Sequence, residues 1–267
     1  MRFSINHITV AGQNLGTLFN LAKDLGVQEV EIRNDLPDVV SAFSPDEVRA
    51  AAREAGVAIV TINALYPFNC WSSDLERRAN ELSDYAVACG AGALVMCPLN
   101  DGRAVSHENL VSALANLKPI FETRGLTGLV EPLGFLRSSM RTKREAANAI
   151  AEVDGSSVYR LVHDTFHHHL AGEVEFFSES TGLVHISGVN EPAIAVDGMS
   201  DQDRVLVDAS DRLGNVPQIR SLIHGGYGGP FSFEAFSAAV HALSDPKSAL
   251  LESMEFLRHA LNPSSAG

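Results

Sequence analysis

The feature that most constrains this chain is an alternation that runs its whole length. Short β-rich runs, FSINHI (3–8), EVEIR (29–33), AIVTIN (58–63), ALVMCP (93–98), TGLVEP (127–132), YRLVHD (159–164), LVHIS (183–187) and PFSFEAF (230–236), are separated by longer stretches of helical period. The helical stretches include LGTLFNLAKDLG, SPDEVRAAAREAG, DLERRANELSDYAVACG and HENLVSALANLKPIFETRG. Several open on Ser or Asp and close on Gly, as helix caps prefer. Ser44, with Pro45 next and Glu47 three residues on, is a full N-terminal signature. Eight β-then-α units in about 250 residues is the measure of a (β/α)8, or TIM, barrel. A doubly wound open sheet gives a similar alternation, and the barrel is the expected fold. No Ser/Pro-rich linker interrupts the units, so residues 1–262 read as one domain and residues 263–267, within NPSSAG, as a disordered tail.

Composition narrows the class. With 267 residues, 45% hydrophobic and 20% charged, the chain can bury a large core without covalent staples. Cys70, Cys89 and Cys97 form no CxxC pair and leave an odd thiol, which suggests neither a disulfide framework nor a thiolate zinc site. Residues 1–12 lack the apolar run of a signal peptide, and no segment approaches the roughly 20 apolar residues that span a bilayer, so a soluble cytoplasmic protein is expected. A net charge of −13 disfavours nucleic acid. GGYGG (225–229) precedes a strand and lacks a following Lys-Ser/Thr, so it reads as a turn and not as a phosphate loop.

In a barrel of this kind, chemistry sits where strands end, and alternate residues point inward. Four successive strands then each bring one inward metal-competent group to the same height: Glu131, Asp164, His185 and Glu234. Any one of these acids is ordinarily a cap or an ion-pair partner. Together they form an oxygen-rich set suited to Mn²⁺, Co²⁺, Zn²⁺ or Mg²⁺, with positions left for a substrate. The competing reading is an interior polar layer paired with Arg33 and Arg160. In LVHDTFHHHLAGE (161–173), Asp164 is either a metal ligand or a helix cap, and His167, His168 and His169 point about 100° apart, so they cannot all serve one ion.

The order E-P at 131, D-T-F-H at 164–167, H at 185, D-R at 203–204 and S-F-E at 232–234 resembles the xylose-isomerase-like superfamily of sugar isomerases and epimerases. Within it, VEIRNDLPD (30–38), INALYPFN (62–69), DTFHHHLAGE (164–173) and SDQDRVLVDASDRLGN (200–215) are most similar to the inosose isomerases of inositol catabolism. The resemblance implies one divalent ion held by Glu131, Asp164, His185 and Glu234, with His167 and Arg204 on substrate oxygens. Many relatives carry Gly-x-Gly after the D-R pair, whereas this chain has Asp208, Ala209, Ser210 and Asp211, a departure that bears on the substrate and not on the ion.

Moving a carbonyl to the next carbon requires removal of a weakly acidic C–H proton and a place for charge on oxygen. Glu131 and Glu234, separated around the rim, are the expected proton-transfer pair. His167 is a candidate donor to a substrate hydroxyl, or an exposed histidine at a helix start; His168 and His169 read as solvated or, at most, as groups behind the ligands. Arg204 is a clamp on a substrate oxygen or an anchor for Asp201, Asp203 or Asp208. Arg33 is a weaker substrate contact, with an internal pair to Glu31 as the plainer account. Tyr66, Phe68 and Trp71 follow the third strand and are candidates for an apolar wall, with core or lid packing the commoner use of such residues.

The expected activity is conversion of 2-keto-myo-inositol to 1-keto-D-chiro-inositol through an enediolate. A ketose 3-epimerase and a hydroxypyruvate-type isomerase are alternatives. A non-catalytic sugar-binding barrel and an endonuclease IV-like enzyme are rivals of other classes, the last disfavoured by the acidic charge. The partner is a small polyol ketone or sugar, without nucleic acid or membrane; self-association into a homo-oligomer is compatible with the sequence.

Overall fold

The structure, a computed structural model, describes residues 1–37, 39–40 and 42–262. The expected tail at 263–267 lies outside these described residues. Among them, eight strands close into a parallel barrel in sequence order. They are β1 (Phe3–Asn6), β2 (Glu29–Arg33), β3 (Ala58–Leu65), β4 (Ala93–Met96), β5 (Thr127–Val130), β6 (Tyr159–Asp164), β7 (Thr181–Ile186) and β8 (Phe231–Phe233). Closure comes from β1 pairing with β8, Phe3 opposite Phe231 and Ile5 opposite Phe233, which an open sheet would lack. The helices are α1 (Leu15–Asp24), α2 (Pro45–Ala55), α3 (Ser73–Cys89), α4 (His107–Glu122), α5 (Lys143–Glu152), α6 (Thr165–Ala171), α7 (Asn215–His224), α8 (Ala238–His241) and α9 (Pro246–Leu261).

Local chemistry sets these boundaries. Ser44 and Glu47 form the reciprocal capping box that opens α2, and Gly56 closes it at φ 73°, a left-handed conformation costly for residues with a Cβ. At the end of β1, the Asn6 side chain accepts from Ile8 N and turns the chain into the 3₁₀ segment His7–Val10, two residues earlier than the β-rich run suggested. GGYGG is a turn as expected, pinned by the Tyr227 hydroxyl donating to Pro230 O at 2.6 Å. Among the described residues no helix is long and apolar enough to cross a membrane.

Packing follows the strand pleat. Ile5, Val30, Ile32, Ile62, Leu94, Met96, Val130, Leu161, Val184, Ile186 and Phe233 bury against the helix layer in one large core. The opposite faces of β4 to β7 contribute Val95, Leu129, Val162 and Leu183 to a second apolar cluster inside the barrel. Two residues further along each strand direction stand Cys97, Glu131, Asp164 and His185, so the apolar floor gives way to polar groups at the C-terminal mouth. The facing half, from β8 round to β3, is largely polar: Ser4, Asn6, Glu31, Thr61, Asn63 and Ser232 are all buried there.

Candidate active site at the barrel mouth

His185 sits at the centre of the mouth, fully buried. Its Nδ1 lies 2.9 Å from Glu131 Oε1, 3.3 Å from Glu234 Oε2 and 4.0 Å from Asp164 Oδ2. One ligand atom from each of Glu131, Asp164, His185 and Glu234 falls within 4.8 Å of the others, so the expected quartet does converge. Backbone pairing explains the common height. Asp164 is in register with His185, and Glu131 and Glu234, the first residues past their strands, still donate from N to Met96 O at 3.0 Å and Ile186 O at 2.9 Å.

Asp164 caps its helix with one carboxylate oxygen and turns the other to the cluster. Its Oδ1 accepts from Phe166 N at 2.7 Å and His167 N at 3.3 Å, capping α6, while Oδ2 faces the quartet. The cap fixes α6 so that His167 lines the mouth, 5% exposed, its ring 5.0 Å from that of Phe135 and its Nδ1 without a hydrogen-bond partner. His168, expected in solvent, is instead buried: its Nδ1 accepts from Lys143 Nζ at 2.7 Å, and Lys143 also pairs with Glu173 at 2.7 Å. The difference arises because Lys143, at the start of α5, and the rings of His163 and Phe176 surround His168, which periodicity within one short helix does not reveal.

Two arginines complete the set. Arg204, 1% exposed, donates from Nη2 to Asp164 Oδ2 at 2.7 Å and Glu234 Oε2 at 2.9 Å, and from Nε to Ser187 Oγ at 3.0 Å. Of its three expected acidic neighbours only Asp201 engages it, at 3.3 Å. Arg33 does not pair with Glu31. It donates to Glu234 Oε1 at 3.1 Å and takes Asp35 in a bidentate grip at 2.8 and 2.5 Å. The Phe236 ring lies between the two guanidiniums, 5.4 Å from Arg33 and 4.7 Å from Arg204. Arg160, the other partner that a purely structural layer would need, is exposed and bonds to backbone carbonyls of Ser156 and Tyr159.

Burial sets the electrostatics and the neighbours decide its outcome. Burial works against the His185 imidazolium, but the carboxylates of Glu234, Glu31 and Glu131 raise its pKa well above the ordinary range. Burial also works against the Asp164 carboxylate, yet Arg204, His167 and His185 hold it well below the usual range. Glu131 is held down by the charge of His185 and its hydrogen bond, against burial. Glu234 is pushed up to about 8 by burial and by the charges of Glu131 and Asp164, against the pull of His185 and Arg204. Burial lowers His167 and, with the Glu131 charge, raises the Cys97 thiol well above its usual range. Like charges this close in a dry site call for a cation among them. The three carboxylates and one imidazole therefore fit a hard or borderline divalent ion.

The mouth itself is a cavity of about 230 Å³, walled by Leu133, Phe135 and Phe236 and edged by Tyr66, Asn100 and Asp35. Of the expected aromatic wall only Tyr66 is present: Phe68 is wholly in the core, and Trp71 lines a separate groove with Asn69 and Cys70. Among the described residues, none of 208–211 lines the cavity. Asp208 and Asp211 instead accept from backbone N–H groups of Ser210, Leu213 and Asn215, so the loop's acidic side chains stabilise its own turn. Reading the sequence missed Cys97, whose thiol donates to Glu131 Oε2 at 3.2 Å, and Asn6 and Asn63, which donate to Glu234 Oε1 at 3.1 and 3.4 Å. It also misread Glu31. The available signal was the pleat: each is a polar residue at an inward position of its strand or, for Cys97, just past it.

A family model described as xylose isomerase-like TIM barrel matches residues 19–260. Among solved structures, a xylose isomerase domain containing protein from Salmonella typhimurium is 35% identical, with 97% of each chain covered and a TM-score of 0.89. The IolI protein, crystallised with a bound zinc atom, is 19% identical over 100% of both chains, with a TM-score of 0.84. D-psicose 3-epimerase from Clostridium cellulolyticum, seen with D-tagatose, is 15% identical over 98% of this chain and 99% of its own, with a TM-score of 0.76. At these last two identities the likeness is one of fold. Comparison with curated protein sequences gives no match.

Proposed function

The chain belongs to the xylose isomerase-like TIM barrel family, and from that premise we propose a divalent-metal-dependent isomerase acting on a cyclic polyol ketone. The reaction is conversion of 2-keto-myo-inositol to 1-keto-D-chiro-inositol. The observation that carries this reading is the convergence of Glu131, Asp164, His185 and Glu234 within 4.8 Å beneath a cavity that His167 and Arg204 also line. The zinc atom bound by IolI supports an ion on a barrel of this shape.

A divalent ion held by the quartet supplies Lewis acidity to a substrate carbonyl and its neighbouring hydroxyl. The chain's own groups do the rest. One of Glu131 and Glu234 takes the proton from the carbon beside the carbonyl, and the C–H electron pair becomes the double bond of an enediolate. The other carboxyl, protonated at the outset, gives its proton to the former carbonyl carbon while the proton of the neighbouring hydroxyl passes to the former carbonyl oxygen, so the carbonyl re-forms one position along the ring and the two carboxyls end with their protonation exchanged. His167 offers a buried ring nitrogen to a substrate hydroxyl. Arg204 and Arg33 keep the acids oriented while facing the cavity.

Size and charge favour this substrate class. About 230 Å³ is small for a ligand site, since drug-sized pockets start at about 300 Å³, and it suits one six-membered ring. Both arginines already hold carboxylates, so a phosphorylated sugar would have to displace an acid to be recognised. The deciding assay incubates metal-loaded protein with the inosose and, separately, with fructose, tagatose, psicose and hydroxypyruvate, following products by NMR in D₂O. Deuterium uptake and product from the inosose is the expected result. A higher kcat/KM on an open-chain ketose would make the protein a ketose epimerase, and binding without deuterium uptake would make it a sugar-binding barrel.

A further inference from the structure

Glu31 is a carboxylate with no exposed surface, in the middle of β2. Taking an ion out of water costs several kcal/mol unless donors compensate it. The nearby cation does not: Arg33, two residues on, turns to Asp35 and Glu234. Among the described residues the hydrogen-bond partners of Glu31 are two. Ser232 Oγ donates to its Oε1, and His185 Nε2 lies 3.1 Å from each of its oxygens. His185 and Ser232 are in register with each other on β7 and β8.

We propose that Glu31 is a positioning residue for the metal site: it fixes His185 as the Nε2–H tautomer and so presents Nδ1 to the ion. The inference rests on the metal-site reading above. A carboxylate only accepts hydrogen bonds, and one equidistant from a single imidazole nitrogen requires that nitrogen to carry the proton. In neutral His185 the lone pair is then on Nδ1, the atom that faces Glu131, Glu234 and Asp164. Nδ1 also faces a carboxylate, Glu131 Oε1 at 2.9 Å, but a divalent ion among the quartet would compensate that side, whereas in the reverse tautomer the Nε2 lone pair would meet both Glu31 oxygens with no cation between them. Ser232 has the complementary task of holding Glu31 in place, which leaves both carboxylate oxygens symmetric about Nε2. A carboxylate behind a ligating histidine fixes ring orientation and raises ligand basicity, and removing such a partner typically weakens metal binding by about 10- to 100-fold.

The test uses the full chain and Zn²⁺ alone. Chelator competition gives the affinity of wild type and E31Q, thermal unfolding of both metal-free proteins reports on folding, and ¹⁵N NMR of histidine-labelled wild type with Zn²⁺ reads the tautomer. The expected results are a loss of at least about 10-fold in Zn²⁺ affinity for a folded E31Q, and a wild-type His185 ligated through Nδ1 with a protonated Nε2. A merely structural Glu31 would move the melting temperature and leave affinity in the folded fraction unchanged, which overturns the proposal. Ligation through Nε2 overturns it as well, even if E31Q does not fold. Failure of wild type to bind Zn²⁺, Mn²⁺ or Co²⁺ would overturn this proposal together with the metal-site reading, whereas tight wild-type binding with an unaffected E31Q would overturn this one alone.

Discussion

Arg204 donates from Nη2 to Asp164 Oδ2 at 2.7 Å, joining a loop cation to a strand-end acid that the chain separates by 40 residues. The same nitrogen reaches Glu234 Oε2 at 2.9 Å, so one guanidinium balances two buried carboxylates. Truncating one partner of a buried, hydrogen-bonded pair leaves the other charge unpaired, at a cost of about 3–5 kcal/mol. R204A should therefore lower the stability of the metal-free protein by that order in urea unfolding. R204K should recover only part of the loss, because an ammonium lacks the planar fork that engages Asp164, Glu234 and Ser187 together. Wild-type stability in R204A would show that the bridge contributes nothing.

Glu131 and Glu234 have opposite electrostatic tendencies, the first held down by His185 and the second pushed up to about 8. Environments that drive two carboxyls apart are the usual basis for dividing acid and base roles. E131Q and E234Q should each reduce turnover by about 10² or more in saturating Mn²⁺, with substrate binding much less affected. Metal content measured on the same samples separates lost proton transfer from lost ligation. Full turnover in either variant would remove that residue from the chemistry.

Gly134 has no room for a side chain. A Cβ built there would lie 2.2 Å from His167 O and 2.9 Å from Ala171 N, both backbone atoms of α6 or its end. G134A must therefore push α6 outward, and His167 with it. Overpacking of this kind costs about 1–3 kcal/mol. Assayed below its melting temperature, G134A should show a raised KM, because the group that moves is the proposed hydroxyl donor. H167A should share the raised KM with metal content unchanged and stability near wild type.

Behind the mouth, Lys143, His168 and Glu173 lock α6 to α5, with Glu173 Oε2 2.7 Å from Lys143 Nζ and its two oxygens accepting from Lys143 N and Arg144 N. Burial opposes the Glu173 carboxylate, but the neighbouring His168 and the hydrogen-bonded Lys143 lower it from 4.5 to about 2. Burial lowers His168 below its ordinary 6.5. Both groups have folded values below their unfolded ones, so both contribute stability that is present above the unfolded pKa and lost as pH falls. The melting temperature should decline first as pH drops through and below 6.5, and again between 4.5 and about 2. E173Q should be less stable at neutral pH and should flatten the lower decline; an unchanged profile in E173Q would show that the lock does not govern acid stability.

Sequence alone determined the architecture, because a period-two signal alternating with a 3.6 period leaves few ways to bury both, and strand-end positions follow from the pleat once the barrel is assumed. It also determined which strands bring Glu131, Asp164, His185 and Glu234 to the mouth, since inward direction is a local property of each strand. The helix cap at Ser44 was equally local. Partnership was not. Arg33 and Glu31 share a strand face but diverge, the one to Glu234 and the other to His185, because their partners lie on β8 and β7, about 200 and 154 residues away. His168 looked solvated because its neighbours, Lys143, His163 and Phe176, come from outside its own helix. Asp164 could not be read as cap or ligand until its two oxygens were seen facing different neighbours. Which cation faces which acid across a closed barrel depends on distances between strands far apart in the chain, and only the tertiary structure fixes those distances.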